Sequence, residues 1–216
     1  MTTYSLGEIE AQCKKAARGA GMAWGMAEEA GKSARWLAAQ GLDGPLILAN
    51  WLNEMPLTGR GALDCEDDVW AARNGVMCPI TAGTLVADRA ADLAKSPMKL
   101  TKVAHPALML FALQASAAWL NMPLSIRWAG FRARLAPQHA PVWSGDTRAP
   151  NAALITCMVD DAQPADAVVE PIWFPQRISL NPDSWSALET LAARTYVPAS
   201  AASRAVGAGA GLSDND

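Results

Sequence analysis

Three arginines near the middle of the chain are the clearest candidates for ligand binding. Arg127, Arg132 and Arg134 alternate with apolar residues. These apolar residues have even numbers before Gly130 (124, 126 and 128) and odd numbers after it (131, 133 and 135), a change of parity. A β-bulge at Gly130, within one strand over residues 124–135, would keep both apolar sets on the core and point all three arginines to the opposite face. Because an arginine fork binds a carboxylate or a phosphate bidentately, this face is predicted to recognise an anion. A solvated sheet face is the alternative interpretation.

The segment that carries these arginines is basic within an acidic protein. The chain has 18 Lys and Arg against 21 Asp and Glu, a net charge of −3 at pH 7. No acidic residue lies between Asp92 and Asp146, whereas six basic residues do: Lys95, Lys99, Lys102, Arg127, Arg132 and Arg134. The overall balance predicts no nucleic-acid partner, and the local excess favours a small anionic ligand.

Glu28 and Glu29 are the predicted catalytic acid and base. Both follow Trp24 in a predicted helix that is otherwise lined by small residues. A carboxyl group packed against Trp24 would be desolvated, and burial raises a carboxyl pKa toward the range useful in acid–base catalysis. The alternative is that both side chains face solvent near the start of the helix and complement its dipole.

Tryptophan is unusually frequent, with nine residues against three Phe and two Tyr. Trp24, Trp128 and Trp143 are close in sequence to the acidic or basic candidates, so they are predicted to line the substrate pocket. The glycine-rich tail is expected to close over that pocket as a lid, with Asp214 contacting the substrate. The alternatives are a mobile tail without such a role and a tail that docks on another protein.

The two histidines restrict the remaining chemistry. No Gly-x-Ser-x-Gly motif is present, so a hydrolase with a Ser-His-Asp triad is not expected. His105 precedes Pro106 at a predicted helix start, where a capping or packing role is favoured over a chemical one. His139 lies in a proline-rich turn and is interpreted in the same way.

No motif predicts a metal site or identifies a cofactor. Cys13, Cys65, Cys78 and Cys157 are far apart, whereas zinc sites bring their ligands in close pairs. The acidic cluster at residues 64–68 is interpreted as a helix N-terminus, with a divalent cation site as the less favoured alternative because the residue order of a calcium loop is missing.

One uncharged segment, residues 103–126, is long enough to cross a membrane. Pro106 and Pro123 interrupt it, which favours a buried central helix over residues 106–120. The first residues contain no basic region followed by an apolar one, so we expect no secretory signal, reduced cysteines and a cytoplasmic location.

The predicted elements form an α+β fold, in which a helical N-terminal lobe packs on a mixed β-sheet around the buried central helix. Residues 1–57 are predicted to form the lobe, beginning with a capping box at Ser5 and Glu8. Residues 75–198 are predicted to complete a single domain, followed by the tail at 199–216. Predicted strands in this part are residues 76–80, 98–103, 124–135, 152–159 and 168–180, and a final helix begins after Asn181.

Two sequence blocks resemble a bacterial family of unassigned function. One runs from Arg18 to Gly31, with the pattern RGAGxxWGxAEEAG, and the other is the ending GAGAGLSDND at residues 207–216. The resemblance implies a single domain and brings no activity, cofactor or catalytic residue.

The sequence therefore predicts a protein that binds or transforms an anionic metabolite, either a carboxylate or a phosphate. No membrane partner is expected, and association into a homo-oligomer is an open expectation. The alternative is a non-catalytic subunit or interaction partner of a metabolic enzyme, whose tryptophan-rich surface would contact another chain.

Overall fold

The computed structural model describes residues 2–54, 63–66, 68–73, 75–160 and 175–196, and these form the predicted α+β fold. The helices are α1 (Leu6–Gly19), α2 (Trp24–Ala39), α3 (Gly44–Glu54), α4 (Pro79–Asp88), α5 (Ala90–Leu93), α6 (Leu110–Leu120) and α7 (Pro182–Ala192). The strands are β1 (Thr3–Ser5), β2 (Leu63–Glu66), β3 (Val69–Ala72), β4 (Met98–Ala104), β5 (Leu124–Trp128), β6 (Phe131–Leu135), β7 (Val142–Gly145), β8 (Asn151–Val159) and β9 (Arg177–Ser179).

The N-terminal lobe is a set of closely packed helices. The predicted capping box is present: the Ser5 hydroxyl accepts from the Glu8 amide, and the Glu8 carboxylate accepts from the Ser5 amide. Helix α1 buries a stripe of small and medium side chains against α2, and its end lies against α7. At this contact the Cα of Gly19 is so near the α7 backbone that an added Cβ would lie 1.8 Å from the carbonyl oxygen of Leu191.

The main sheet has seven strands in the order β2-β3-β4-β8-β5-β6-β7. Only the β3–β4 pair is parallel among these strands, and all other neighbours are antiparallel. Helices α4, α5 and α6 contact this sheet, which buries one of its faces. A separate two-stranded ribbon joins β1 to β9 and so ties the N-terminus to the segment before α7.

Helix α6 is central but not buried all round. Leu110, Leu113 and Ala117 are in the core, where α6 contacts α4, α2 and the sheet. The opposite side is open, and Trp119 is 71% exposed. Among the described helices none has both the length and the apolar character needed to cross a bilayer.

The prediction of one bulged strand over residues 124–135 is wrong. The chain forms a hairpin instead, in which Trp128 pairs with Phe131 across a two-residue turn at Ala129 and Gly130. Gly130 has φ of +75°, a value that glycine adopts at little cost. The parity change therefore comes from chain reversal rather than from an extra residue.

Two further predictions of local structure are wrong. Residues 76–80 are not a strand: Cys78 caps α4, which begins at Pro79, and Met77 makes an isolated bridge to Val103. The described part of the acidic cluster is not a helix N-terminus, because residues 64–66 belong to β2, which pairs with β3. There the Arg73 guanidinium donates to both carboxylate oxygens of Asp64 at 2.7 and 3.0 Å, and this holds the pKa of Asp64 below its usual value.

Part of the predicted C-terminal structure lies outside the described residues. Of the strand expected over residues 168–180, the described portion contains β9, and the tail at 199–216 is not described. The predicted final helix is confirmed as α7, with the Asn181 side chain accepting from the Asp183 amide.

Candidate functional site

A cavity of about 720 Å³ lies beside the start of α3 and the end of β4. We call it the His105 cavity, after its buried ionisable residue. Its lining consists of Gly41, Leu42, Asp43, Leu46, Ile47, Asn50, His105, Trp143, Gly145, Asp146, Thr147 and Arg148. The volume is in the range of small-molecule sites, and polar side chains are set among apolar ones as such sites require.

His105 is held in place by its backbone. It follows β4 directly and precedes the short 3₁₀ turn Pro106–Met109, with φ and ψ of +38° and +59°. This left-handed conformation is unfavourable for a residue with a side chain. Its amide donates to the carbonyl of Pro150 at 2.9 Å, its carbonyl accepts from the Leu108 amide, and only 5% of the residue is exposed.

The His105 imidazole is paired with a carboxylate from the end of α3. Its Nε2 lies 3.0 Å from Oε2 of Glu54, whose side chain is 62% exposed. An ionised carboxylate only accepts hydrogen bonds, so Nε2 is the donor in this contact. A carboxylate that fixes one ring nitrogen and stabilises the imidazolium is the arrangement used in general acid–base catalysis.

Other charged groups surround the mouth of the cavity. Asp43 has a structural role, because its carboxylate accepts hydrogen bonds from the Leu46 amide at the start of α3 and from the Ser184 hydroxyl, each at 3.0 Å. Arg148 is 84% exposed at its side chain and has its Nε 3.7 Å from Asp146. Arg148 therefore supplies a weakly held cation to the cavity that the buried imidazole also lines.

The predicted arginines line a second depression of about 420 Å³, which we call the arginine groove. Its lining residues are Ser125, Ile126, Arg127, Arg132, Ala133, Arg134, Val142, Trp143, Ser144, Met158 and Asp160. Arg127 and Arg132 are directly opposite each other on β5 and β6, on the exposed side of the sheet. The structure thus brings the three arginines together, whereas Trp143 pairs with the buried Ala133, faces the other side of the sheet and lines the His105 cavity.

Trp128 and Trp24 line neither of these depressions. Trp128 is on the buried side of the sheet, 6% exposed and stacked on Phe131 at 3.9 Å between ring centroids. Trp24 begins α2 and is 65% exposed, with the Arg18 guanidinium 4.6 Å from its ring centroid. Asp214 lies outside the described residues.

The expected desolvation of Glu28 or Glu29 is not seen. Their side chains are 50% and 34% exposed, and they form ion pairs with Lys14 at 3.6 Å and Lys32 at 2.7 Å. Successive helical residues point about 100° apart, and here both carboxylates reach lysines rather than the small residues that α2 buries. Neither residue lines the His105 cavity or the arginine groove.

The sequence interpretation gave His105 a capping role and did not single out Glu54. One signal was available: His105 lies between the strand predicted at 98–103 and the helix predicted from Pro106, which places it near the carboxyl end of the strand, where ligand sites of α/β sheets are common. The pairing with Glu54, 51 residues away, had no such local signal.

No group of three or more potential metal ligands occurs among the described residues. None of the four cysteines forms a disulfide, and burial raises the pKa of Cys157 to about 12 and also raises that of Cys13. Thiol chemistry at neutral pH is therefore not expected from these two buried residues.

Comparison with known proteins supports the fold and an uncharacterised family. Residues 4–80 match a family model described as a protein of unknown function (DUF3726). No curated protein matches the chain.

Two solved structures match part of this chain. Malate dehydrogenase from Entamoeba histolytica matches with a TM-score of 0.50 and 13% identity, covering 70% of this chain and 49% of that one. Malate dehydrogenase from Pyrococcus horikoshii OT3 matches with a TM-score of 0.46 and 10% identity, covering 70% of this chain and 50% of that one. The chain spans about half the length of these structures, and the first likeness indicates a related fold for most of this chain.

Proposed function

We propose that this protein binds and transforms a small carboxylate metabolite in the His105 cavity. His105 is the acid–base group, Glu54 positions it, and Arg148 attracts the carboxylate. The observation that carries the proposal is the buried imidazole at the cavity wall, held by a left-handed backbone and a carboxylate 3.0 Å from Nε2.

The chemistry that follows is a proton exchange with a hydroxyl or carbonyl group of the ligand. With Nε2–H donated to Glu54, Nδ1 is the nitrogen that takes up a proton, and the carboxylate stabilises the resulting imidazolium. The likeness in fold to a malate dehydrogenase makes a hydroxy acid such as malate the first ligand to test.

The test is calorimetric titration of the protein at pH 7 with L-malate and with succinate, which lacks the hydroxyl group. Metabolite sites bind in the range of about 1 μM to 1 mM, so saturation is expected by about 10 mM. His105→Asn should weaken binding of L-malate more than binding of succinate, because it removes the ring proposed to contact the hydroxyl group. Arg148→Gln should weaken binding of both ligands about tenfold.

Two controls make the result decisive. Glu54→Gln, at an exposed position, keeps His105 but replaces the carboxylate that fixes its ring. It should reduce the preference for L-malate over succinate, and it provides a second test if His105→Asn fails to fold. Arg73→Gln removes one positive charge from a residue that lines neither the His105 cavity nor the arginine groove, and should leave malate binding unchanged. A wild-type protein that binds no carboxylate, or a preference for L-malate over succinate that both His105→Asn and Glu54→Gln leave intact, would contradict the proposal.

A subunit role is the second candidate, favoured by the 71% exposure of Trp119 on the open side of α6. A large exposed aromatic side chain of this kind is typical of contacts between chains. Native mass spectrometry of the untagged protein from its own cells separates the candidates: a defined complex with another polypeptide supports the subunit role, whereas a single-chain species carrying a small ligand supports the first proposal.

A further inference from the structure

The outward face of the main sheet carries one row of cations and hydroxyls. Across five neighbouring strands, adjacent pairing aligns the side chains of Lys99, Thr156, Arg127, Arg132 and Ser144. Strands are about 4.8 Å apart, so Arg127 and Arg132 have their Cβ atoms about 5 Å from each other. Like charges directly opposite destabilise an antiparallel pair, and an anion between the two guanidinium groups would remove this cost.

The arginine groove has an excess of positive charge for such an anion. Three arginines line it against one carboxylate, and Arg134 is committed to that carboxylate, with its Nε 3.3 Å from Oδ2 of Asp160. Arg132 donates from Nε to the Ser144 hydroxyl at 3.1 Å, which orients the guanidinium and leaves its two terminal nitrogens for a ligand. Arg127 forms no ion pair with the described part of the chain.

We infer that the arginine groove is a second ligand site, which binds the phosphate group of a phosphorylated small molecule between Arg127 and Arg132. Two guanidinium groups match the charge of a phosphomonoester, which is −1.5 to −2 at neutral pH, better than that of a single carboxylate. Val142 and Met158, which share the outward face with the arginines, provide apolar wall for the rest of the molecule. Trp143 pairs with the buried Ala133 and so faces the other side of β7, where it lines the His105 cavity, and a ligand in the groove would therefore not depend on the proposed carboxylate site.

The experiment measures binding of inorganic phosphate and of adenosine monophosphate by calorimetry at constant ionic strength, with succinate as the dicarboxylate competitor. The two phosphate probes distinguish a site for the free ion from one that also uses the apolar wall. The ester is expected to bind more tightly than inorganic phosphate, and succinate less tightly than either. Tighter binding of succinate would overturn the phosphate assignment, and tighter binding of inorganic phosphate would overturn the role of the apolar wall.

Arg127→Gln and Arg132→Gln are each expected to weaken binding of the ester at least tenfold, because each removes charge-assisted hydrogen bonds. Arg127→Lys keeps the charge without the fork and should give a smaller loss. Arg73→Gln is the matched control, another exposed arginine whose loss changes the net charge equally, and it should alter binding less than twofold. Equal losses in the control and the groove variants, or no binding of phosphate or the ester to the wild type at millimolar concentration, would overturn the inference.

Failure here is distinguishable from failure of the proposed function. The groove variants should bind malate as the wild type does, and the His105→Asn variant should bind the phosphate ester as the wild type does. A groove variant that loses both ligands while its thermal unfolding is unchanged would show one continuous carboxylate site and would overturn a separate phosphate site.

Discussion

Replacing Gly145 by alanine should displace the edge of the sheet that lies between the two candidate sites. Gly145 ends β7, has φ of +102°, pairs with Phe131 and lines the His105 cavity. A Cβ added there would lie 1.9 Å from the carbonyl oxygen of Gly130 and 2.9 Å from the Cα of Phe131. Both are backbone atoms, so no side-chain rotation relieves the overlap.

Two costs combine in this variant. A residue with a side chain at positive φ costs about 1–2 kcal/mol. Ordinary contact begins at 3.4 Å, so β7 must move by about 1.5 Å from the turn at Gly130. Overpacking of this kind costs about 1–3 kcal/mol, and the free energy of unfolding should therefore fall by about 2–5 kcal/mol in total.

Gly130→Ala is the matched control, because it places alanine at φ of +75° in the same hairpin region with no atom within 4 Å of the added Cβ. It should lose only the backbone term of about 1–2 kcal/mol. Urea denaturation followed by circular dichroism measures both variants, and titration with malate and adenosine monophosphate measures both sites. We expect Gly145→Ala alone to weaken both ligands. Equal stability of the two variants within about 0.5 kcal/mol, with ligand binding intact, would refute the reasoning.

Three further predictions concern packing and thiols. Gly19→Ala should lower the free energy of unfolding by about 1–3 kcal/mol, because the new Cβ would lie 1.8 Å from the α7 backbone. Gly7→Ala in the same helix has open space and should be neutral or stabilising by up to about 1 kcal/mol, and thermal denaturation of both variants measures the difference. Burial keeps the Cys157 thiol neutral with a pKa of about 12, so this thiol ionises first in the unfolded chain. Above pH 9 it should lower the free energy of unfolding by up to about 1.4 kcal/mol per pH unit, a contribution that Cys157→Ala should remove in urea titrations at several pH values. A thiol reagent at pH 8 should modify exposed Cys65 quickly and buried Cys157 only on unfolding; rapid labelling of Cys157 in the native protein would contradict its burial.

The sequence was most informative where a local pattern decides local structure. The capping box at Ser5 and the Asn181 cap were both predicted and both form, because each depends on residues within one helical turn. The outward direction of Arg127 and Arg132 was also predicted, although through a bulge that does not exist. A hairpin turn and a bulge give the same alternation of apolar and polar residues, so periodicity alone does not distinguish them.

The sequence was least informative where function depends on contacts between distant segments. His105 is a candidate acid–base group because of its contact with Glu54 and its backbone hydrogen bond to Pro150. No spacing along the chain reveals either contact. Glu28 and Glu29 are residue types that serve in acid–base catalysis, but in the packed structure their carboxylates form ion pairs with lysines. Burial and partners, which set the chemistry of an ionisable group, are properties of the fold and not of the residue type.

One candidate site requires a buried group and the other requires groups accessible to solvent, and β7 borders both sites. An imidazole that exchanges a proton with a ligand benefits from burial beside a fixed carboxylate, whereas arginines that attract an anion must remain accessible. Successive residues of a strand face opposite sides of the sheet, and on β7 Trp143 belongs to the inward row while Ser144 belongs to the outward row beside Arg132. One edge strand therefore forms a wall of the buried cavity and orients an arginine of the exposed groove, so a displacement of β7 acts on both sites at once.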